Sequence, residues 1–192
     1  DRHAELAMPF MVMWCNENWK RTWLDANAKG QDMLMEHKHR PDDPERFIDD
    51  LADVLAHPGY VRIDGKPILL VYPLFGVEGT PDPDQVPTLV ARWRARAREL
   101  GLGELCIGGL QWPTPLTNGQ YLAPAQLGLD FFFEFPPNHV WSHRSITSHN
   151  SNYQFYRPGH SMLVAHYEDL VERSRGLSDY PWPLVKTVIA GT

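Results

Sequence analysis

The chain has 192 residues, 43% hydrophobic and 22% charged, with a formal net charge of −6. This is ordinary globular composition, at a length that suits one domain with a sizeable core. No apolar run approaches the roughly 18 residues of a membrane-spanning helix, and the scattered basic residues offer no coherent nucleic-acid face, so a soluble chain is expected.

Met8 to Cys15 (MPFMVMWC) is a continuous apolar run, the pattern of a strand buried on both faces. A long polar stretch, Asn16 to Asp43, follows. Pro44 then suits a first helical turn, with Asp42 or Asp43 as N-cap. Phe47, Ile48, Leu51, Val54 and Leu55 give a helical stripe that Pro58-Gly59 ends. Asp64-Gly65-Lys66-Pro67 reads as a turn feeding a strand from Ile68 to Tyr72. A helix spans Val86 to Leu100 and closes at Gly101. Its alternating Arg92, Arg94, Arg96 and Arg98 are expected to be answered by acids elsewhere. Three further strands are expected at Leu105 to Leu110, Leu129 to Phe135 and Leu184 to Ala190, with a short helix from Tyr167 to Arg175.

Apolar strands alternating with helices imply a parallel sheet covered by helices. An open nucleotide-binding sheet would carry a glycine-rich turn after its first strand, whereas Asn16-Glu17-Asn18-Trp19 stands there. Polar and aromatic residues gather after strand C-termini, where a (β/α)8 TIM-like barrel places its site. The expectation is a barrel, here an incomplete portion forming one domain over 1–192. Both ends read as cut: the chain starts at Asp1 without a signal-like segment and stops at Thr192 as a strand finishes. Cys15 and Cys106 read as two buried thiols, which fits a reducing compartment and a cytoplasmic location.

The chemistry concentrates in Trp14-Cys15-Asn16-Glu17-Asn18-Trp19-Lys20-Arg21-Thr22-Trp23. A carboxylate between two carboxamides, with indoles on either side, suits a sugar. Glu17 can act as acid, base or hydroxyl acceptor, Asn16 and Asn18 can bond ring hydroxyls, and Trp14, Trp19 or Trp23 can stack. The competing reading makes these residues a strand–loop junction with packed indoles. Glu134 ends the apolar run Phe131-Phe132-Phe133, so it either points into the barrel mouth or pairs with Arg21 or Arg62. Glu17 and Glu134 are the candidate catalytic carboxylates. Tyr72, Gln111 and Trp112 end strands and are candidate substrate contacts, with rim packing as the alternative. Nine histidines include Glu36-His37-Lys38-His39 and the pair His139 and His143, which match no zinc pattern and read as solvated loop residues; no metal or other cofactor is expected. Pro136 to His160 is long for a connection and reads as a substrate-covering loop.

The string WCNENWKRTW resembles the W-A-N-E-N-W-x-R-x-W signature of WbsX-type domains in bacterial polysaccharide biosynthesis proteins. Tyr60 to Tyr72 (YVRIDGKPILLVY) resembles their "Y-I-x-I-D-G-K-P-L-L-x-x-Y", and Gly128-Leu129-Asp130 to Glu134-Phe135 their "G-F-D-A-x-x-E-F". The resemblance covers nearly the whole chain and implies a barrel related to glycoside hydrolase family 99, of which these strands would be the third to seventh. It implies a carbohydrate-active enzyme working on glycosidic bonds of a bacterial surface polysaccharide such as a lipopolysaccharide O-antigen, as glycosyltransferase or hydrolase, within a longer multidomain protein. In related α-mannan-cleaving enzymes the catalytic glutamates lie in an N-E-W-x-E-G motif on the last strand. That motif does not occur here, which implies a fragment inactive by itself. The alternative is a non-catalytic glycan-binding or scaffold barrel; an unrelated α/β enzyme is a third possibility. No nucleic-acid partner and no membrane span are expected.

Overall fold

The computed structural model describes residues 8–20, 33–75, 79–110 and 122–134, with short pieces at 154–155, 163–164, 168, 171–172 and 182–186. Strand β1 (Val12–Cys15) is followed by an antiparallel ribbon of β2 (Trp19–Lys20) and β3 (Met33–Met35), then helix α1 (Asp43–Ala56). Strand β4 (Arg62–Ile63) turns into β5 (Lys66–Tyr72), which leads to α2 (Val86–Glu99) and β6 (Cys106–Leu110). A 3-10 helix at Pro124–Leu127 precedes β7 (Phe131–Phe133). Strands β8 (Gln154–Phe155) and β9 (Leu163–Val164) pair antiparallel, and β10 (Leu184–Val185) follows.

Five strands form a parallel ladder in the order β1-β5-β6-β7-β10. Order in space therefore follows order along the chain. A doubly wound sheet reverses its strand order once. Here the order runs one way, and α1 and α2 lie together on one face. This winding is compatible with a partial α/β barrel.

Successive side chains of a strand point to opposite faces. Leu69, Val71, Ile107 and Phe132 meet Ile48 and Leu55 of α1 and Val90, Trp93 and Ala97 of α2. Ile68, Cys106, Leu110, Phe131 and Phe133 form a second apolar cluster on the other face, with Leu70 and Tyr72 against it. Apolar demand on both faces is why β5, β6 and β7 read as unbroken apolar runs, whereas β1 departs from the expected two-face burial, with Met13 and the preceding Met11 37% and 50% exposed on its second face. Gly108 makes room on the second face: a Cβ there would lie 2.5 Å from the Phe131 ring. Tyr60, buried between β1 and β5, donates its hydroxyl to the Ile68 carbonyl at 2.5 Å and accepts the Val12 N–H at 3.2 Å.

Helix α1 starts as the sequence predicts, with Pro44 in its first turn, though Asp42 at the N-cap makes no side-chain cap bond. Asp43 instead accepts the Arg40 N–H at 2.6 Å. Helix α2 ends in a Schellman motif: Gly101 has φ +75°, its N–H reaches the Arg98 carbonyl at 3.0 Å, and the Leu102 N–H reaches Ala97 at 2.9 Å. Each alternating arginine finds an acid, Arg92 with Glu45, Arg94 with Asp130 at 2.8 Å, Arg96 with Asp49 at 2.7 Å and Arg98 with Glu104 at 2.6 Å.

The turn expected over Asp64 to Pro67 is shorter. Asp64 (φ +50°) and Gly65 (φ +77°) alone make a two-residue hairpin turn, and Lys66 and Pro67 already belong to β5. Strand β1 begins later than Met8, although Phe10 still bridges Tyr60, and β7 is confined to three residues. The polar stretch after Asn16 holds the β2–β3 ribbon, which its composition did not announce. No helix among the described residues is long and apolar enough to cross a membrane. Of the Tyr167–Arg175 helix, Glu168, Val171 and Glu172 are described and helical. Most of the loop Pro136–His160 lies outside the described residues.

Candidate functional site

Parallel strands end at a common edge. Beyond β1 the ladder continues one step, the Asn16 N–H donating to the Tyr72 carbonyl at 2.7 Å. Beyond β7 the Glu134 N–H donates to Val185 at 3.1 Å. The registers Cys15↔Tyr72, Leu110↔Phe133 and Phe133↔Val185 define the last row of the sheet, and Asn16, Glu134 and Lys186 stand one step past it. Asn16, Glu17, Asn18, Tyr72 and Glu134 are thus all at the C-terminal edge. They do not share one face: Trp14 packs with the helix-side cluster, while Tyr72 packs with the opposite one.

Glu17 is half-buried, and loss of water around its carboxyl raises the pKa above the ordinary value. Cys15 beside it is raised as well, by burial first and by the Glu17 charge second. A carboxyl that holds its proton more tightly is suited to proton donation. Asn16 is fully buried, and neither atom of its carboxamide has a partner among the described residues. Asn18 has a partner in the fold itself, its Oδ1 accepting the His37 N–H at 2.7 Å. Gly79 (φ +92°) lies so near that a Cβ would come within 2.5 Å of that oxygen, and His39 Nε2 donates to the Gly79 carbonyl at 2.6 Å. These contacts latch the loop after β1 to the loop after β5.

Glu134 is 7% exposed. Arg62, one of its two expected partners, serves elsewhere: its guanidinium donates to the carbonyls of Leu55 at 2.5 Å and Gly65 at 3.3 Å, at the opposite end of β5. Trp19 is 40% exposed on β2. Arg21, Trp23, Gln111 and Trp112, as well as His139 and His143, lie outside the described residues.

A cavity of about 950 Å³ opens between the first turns of α1 and α2. Both helices begin where strands end, so it adjoins the same edge. Trp14, Phe47 and Trp93 form its aromatic floor, with ring centroids 4.4 Å apart for Trp14–Phe47, 5.5 Å for Phe47–Trp93 and 5.8 Å for Trp14–Trp93. Among the described residues no three His, Cys, Asp or Glu side chains are grouped to hold a metal ion.

The family described as "Glycosyltransferase WbsX" matches residues 2–191. The chain belongs to this family. Two relatives, each called "Uncharacterized protein WxcX", come from Xanthomonas campestris pv. campestris, one from strain B100 and one from a second strain. Each is 34% identical over 138 residues, which is 71% of this chain and 18% of the relative. The chain therefore spans under a fifth of the length of the curated relatives it matches. No solved structure matches it significantly.

Two residues of this WbsX-family chain stand out that sequence reasoning did not single out for the site. His37 was expected to be solvated; it is half-buried with its ring 5.9 Å from Trp14, and burial followed by the nearby His39 lowers its pKa. Its neighbours in sequence are exposed and charged, so nothing local signalled this. Trp93 continues the stripe Val86, Val90, Trp93 and Ala97 and was legible as core, but not as the floor of a cavity.

Proposed function

We propose that this chain is the site-bearing part of a (β/α) barrel that acts on glycosidic bonds of a bacterial surface polysaccharide, within a longer protein. The observation that carries this reading is Glu17: a half-buried carboxyl with raised proton affinity, at the end of a parallel strand, between two carboxamides. In it Glu17 is the general acid that protonates the glycosidic oxygen, and Glu134 is the second carboxylate. Asn16, fully buried, backs the rim with a carboxamide that has no partner among the described residues, and Trp14 and Trp19 offer apolar ring faces. Membership in a family described as glycosyltransferases supports glycosidic chemistry.

The strand order favours one stereochemical course. Glu17 and Glu134 follow strands three places apart, so their backbones are roughly 14 Å apart at an ordinary spacing of about 4.8 Å. A glutamate extends roughly 4 Å from its backbone at ordinary bond lengths. Turned toward each other the two carboxyls come to roughly 6.5 Å, the near limit of an inverting enzyme, and not to the roughly 5 Å of a retaining one. Glu134 continues the alternation that sets Phe132 on the helix side, so it must turn across the edge to do this. The test is turnover of the full-length protein with the product's anomeric configuration read by NMR. We expect inversion, and a loss of about 100-fold or more in rate for Glu17→Gln. Retention, or an unaltered rate in that variant, refutes the assignment.

A second reading is a barrel that binds glycan without catalysis. It expects Glu17→Gln to weaken glycan binding in a full-length protein that shows no turnover.

A further inference from the structure

We infer that the groove between α1 and α2 is an outer glycan subsite, so that the protein reads an extended saccharide rather than a single sugar; this rests on the carbohydrate reading above. Trp14 joins the two places. It stands two residues before Asn16 on β1 and forms part of the groove's floor. The volume of about 950 Å³ lies at the upper end of the roughly 300–1,000 Å³ typical of small-molecule pockets, more than one pyranose ring occupies.

The chemistry of the groove selects a neutral polyol. The floor is aromatic, and flat indole faces suit the C–H surfaces of a sugar ring. On the walls, the side chains of Asp50, Asp84 and Thr88 have no hydrogen-bond or ion-pair partner among the described residues, leaving acceptors and a hydroxyl for ligand hydroxyls. The cations are largely engaged already: Arg92 with Glu45, Arg46 with Asp42 and Lys38 with Glu36. Arg40 is the lining arginine whose guanidinium has no partner among the described residues, and it faces two unspent acids, so an anion would meet more open acids than open bases. Within that floor Trp93 is fully buried and backs the half-buried Trp14, whose indole is the one a ring in the groove can reach.

The experiment uses the full-length protein and mono- to tetrasaccharides released by partial acid hydrolysis from the source bacterium's surface polysaccharide. The tetrasaccharide should bind at least tenfold more tightly than the monosaccharide. Thr88→Trp, at an exposed α2 position facing the groove, should remove that gain. In unsubstituted protein labelled with 5-fluorotryptophan, the Trp14 and Trp93 fluorine resonances should shift with tetrasaccharide and not with monosaccharide, a reading independent of how the variant folds. Equal affinities for the two saccharides, a gain that survives in folded Thr88→Trp, or unmoved resonances would overturn the groove. The rim reading would still stand if Glu17→Gln weakened binding. If no saccharide binds at all, both fall together.

Discussion

Replacing Gly79 by alanine tests whether the latch between the two loops is real. Gly79 has φ +92°, and an L-residue held there costs about 1–2 kcal/mol. The added Cβ would sit 2.5 Å from Asn18 Oδ1 and 2.7 Å from its Cγ, so the carboxamide must swing away and release the His37 N–H. Losing that bond costs about 1 kcal/mol more. The sum, about 2–3 kcal/mol, corresponds to roughly 30- to 150-fold faster exchange of the His37 amide, measured by hydrogen exchange in the full-length protein. Asn18→Ala by itself should speed that exchange roughly fivefold, for the loss of about 1 kcal/mol. In an Asn18→Ala background there is no carboxamide to displace, so Gly79→Ala should add its backbone strain alone. The two changes are then non-additive by about 1 kcal/mol. Strict additivity would refute the latch.

Tyr60→Phe should cost about 1–3 kcal/mol, since the Val12 N–H and the Ile68 carbonyl both lose their buried partner; an unshifted denaturation midpoint would contradict this. Gly108→Val should destabilise by about 1–3 kcal/mol or more, because Phe131 and Leu70 occupy the space, and the same denaturation series reads it. Glu17→Gln should raise stability near neutral pH. Burial lifts the folded carboxyl's pKa, so the folded state binds its proton more tightly than the unfolded chain. The charged form's penalty is absent below the ordinary value of 4.5 and grows as pH rises through the folded pKa. The variant's advantage should therefore vanish in acid and appear towards neutrality, and a pH-independent difference would contradict it.

The parallel strands and both helices were legible because their signals are local. Pro44 with the stripe Phe47–Leu55 specifies α1, and Gly101 closes α2 through its positive φ. Four of the five strands fall within the predicted apolar runs and β5 starts two residues before its run, at Lys66; in β5, β6 and β7 burial on two faces leaves no alternation to misread. The β2–β3 ribbon was not legible, because Trp19–Lys20 and Met33–Met35 are too short to show a period. At the site, Asn16, Glu17 and Asn18 were visible as a cluster, but their division of labour was not. Asn18 is bound to the His37 backbone, 19 residues away, whereas the Asn16 carboxamide has no partner among the described residues. Which face Trp14 and Tyr72 occupy also depends on strand register, which only pairing fixes.

Helix α2 carries its arginines in two pairs, each one turn apart. Arg92 and Arg96 meet Glu45 and Asp49 of α1, themselves four residues apart, whereas Arg94 and Arg98 turn to Asp130 and Glu104. Exposed contacts of this sort contribute only about 0.2–1 kcal/mol each. Their matched spacing matters more than their strength. Sliding α2 by one turn, about 5.4 Å, would leave a rung without its mate on either flank. The charges thus act as a vernier that sets where one helix stops along the other, and with it the width of the opening above Trp14.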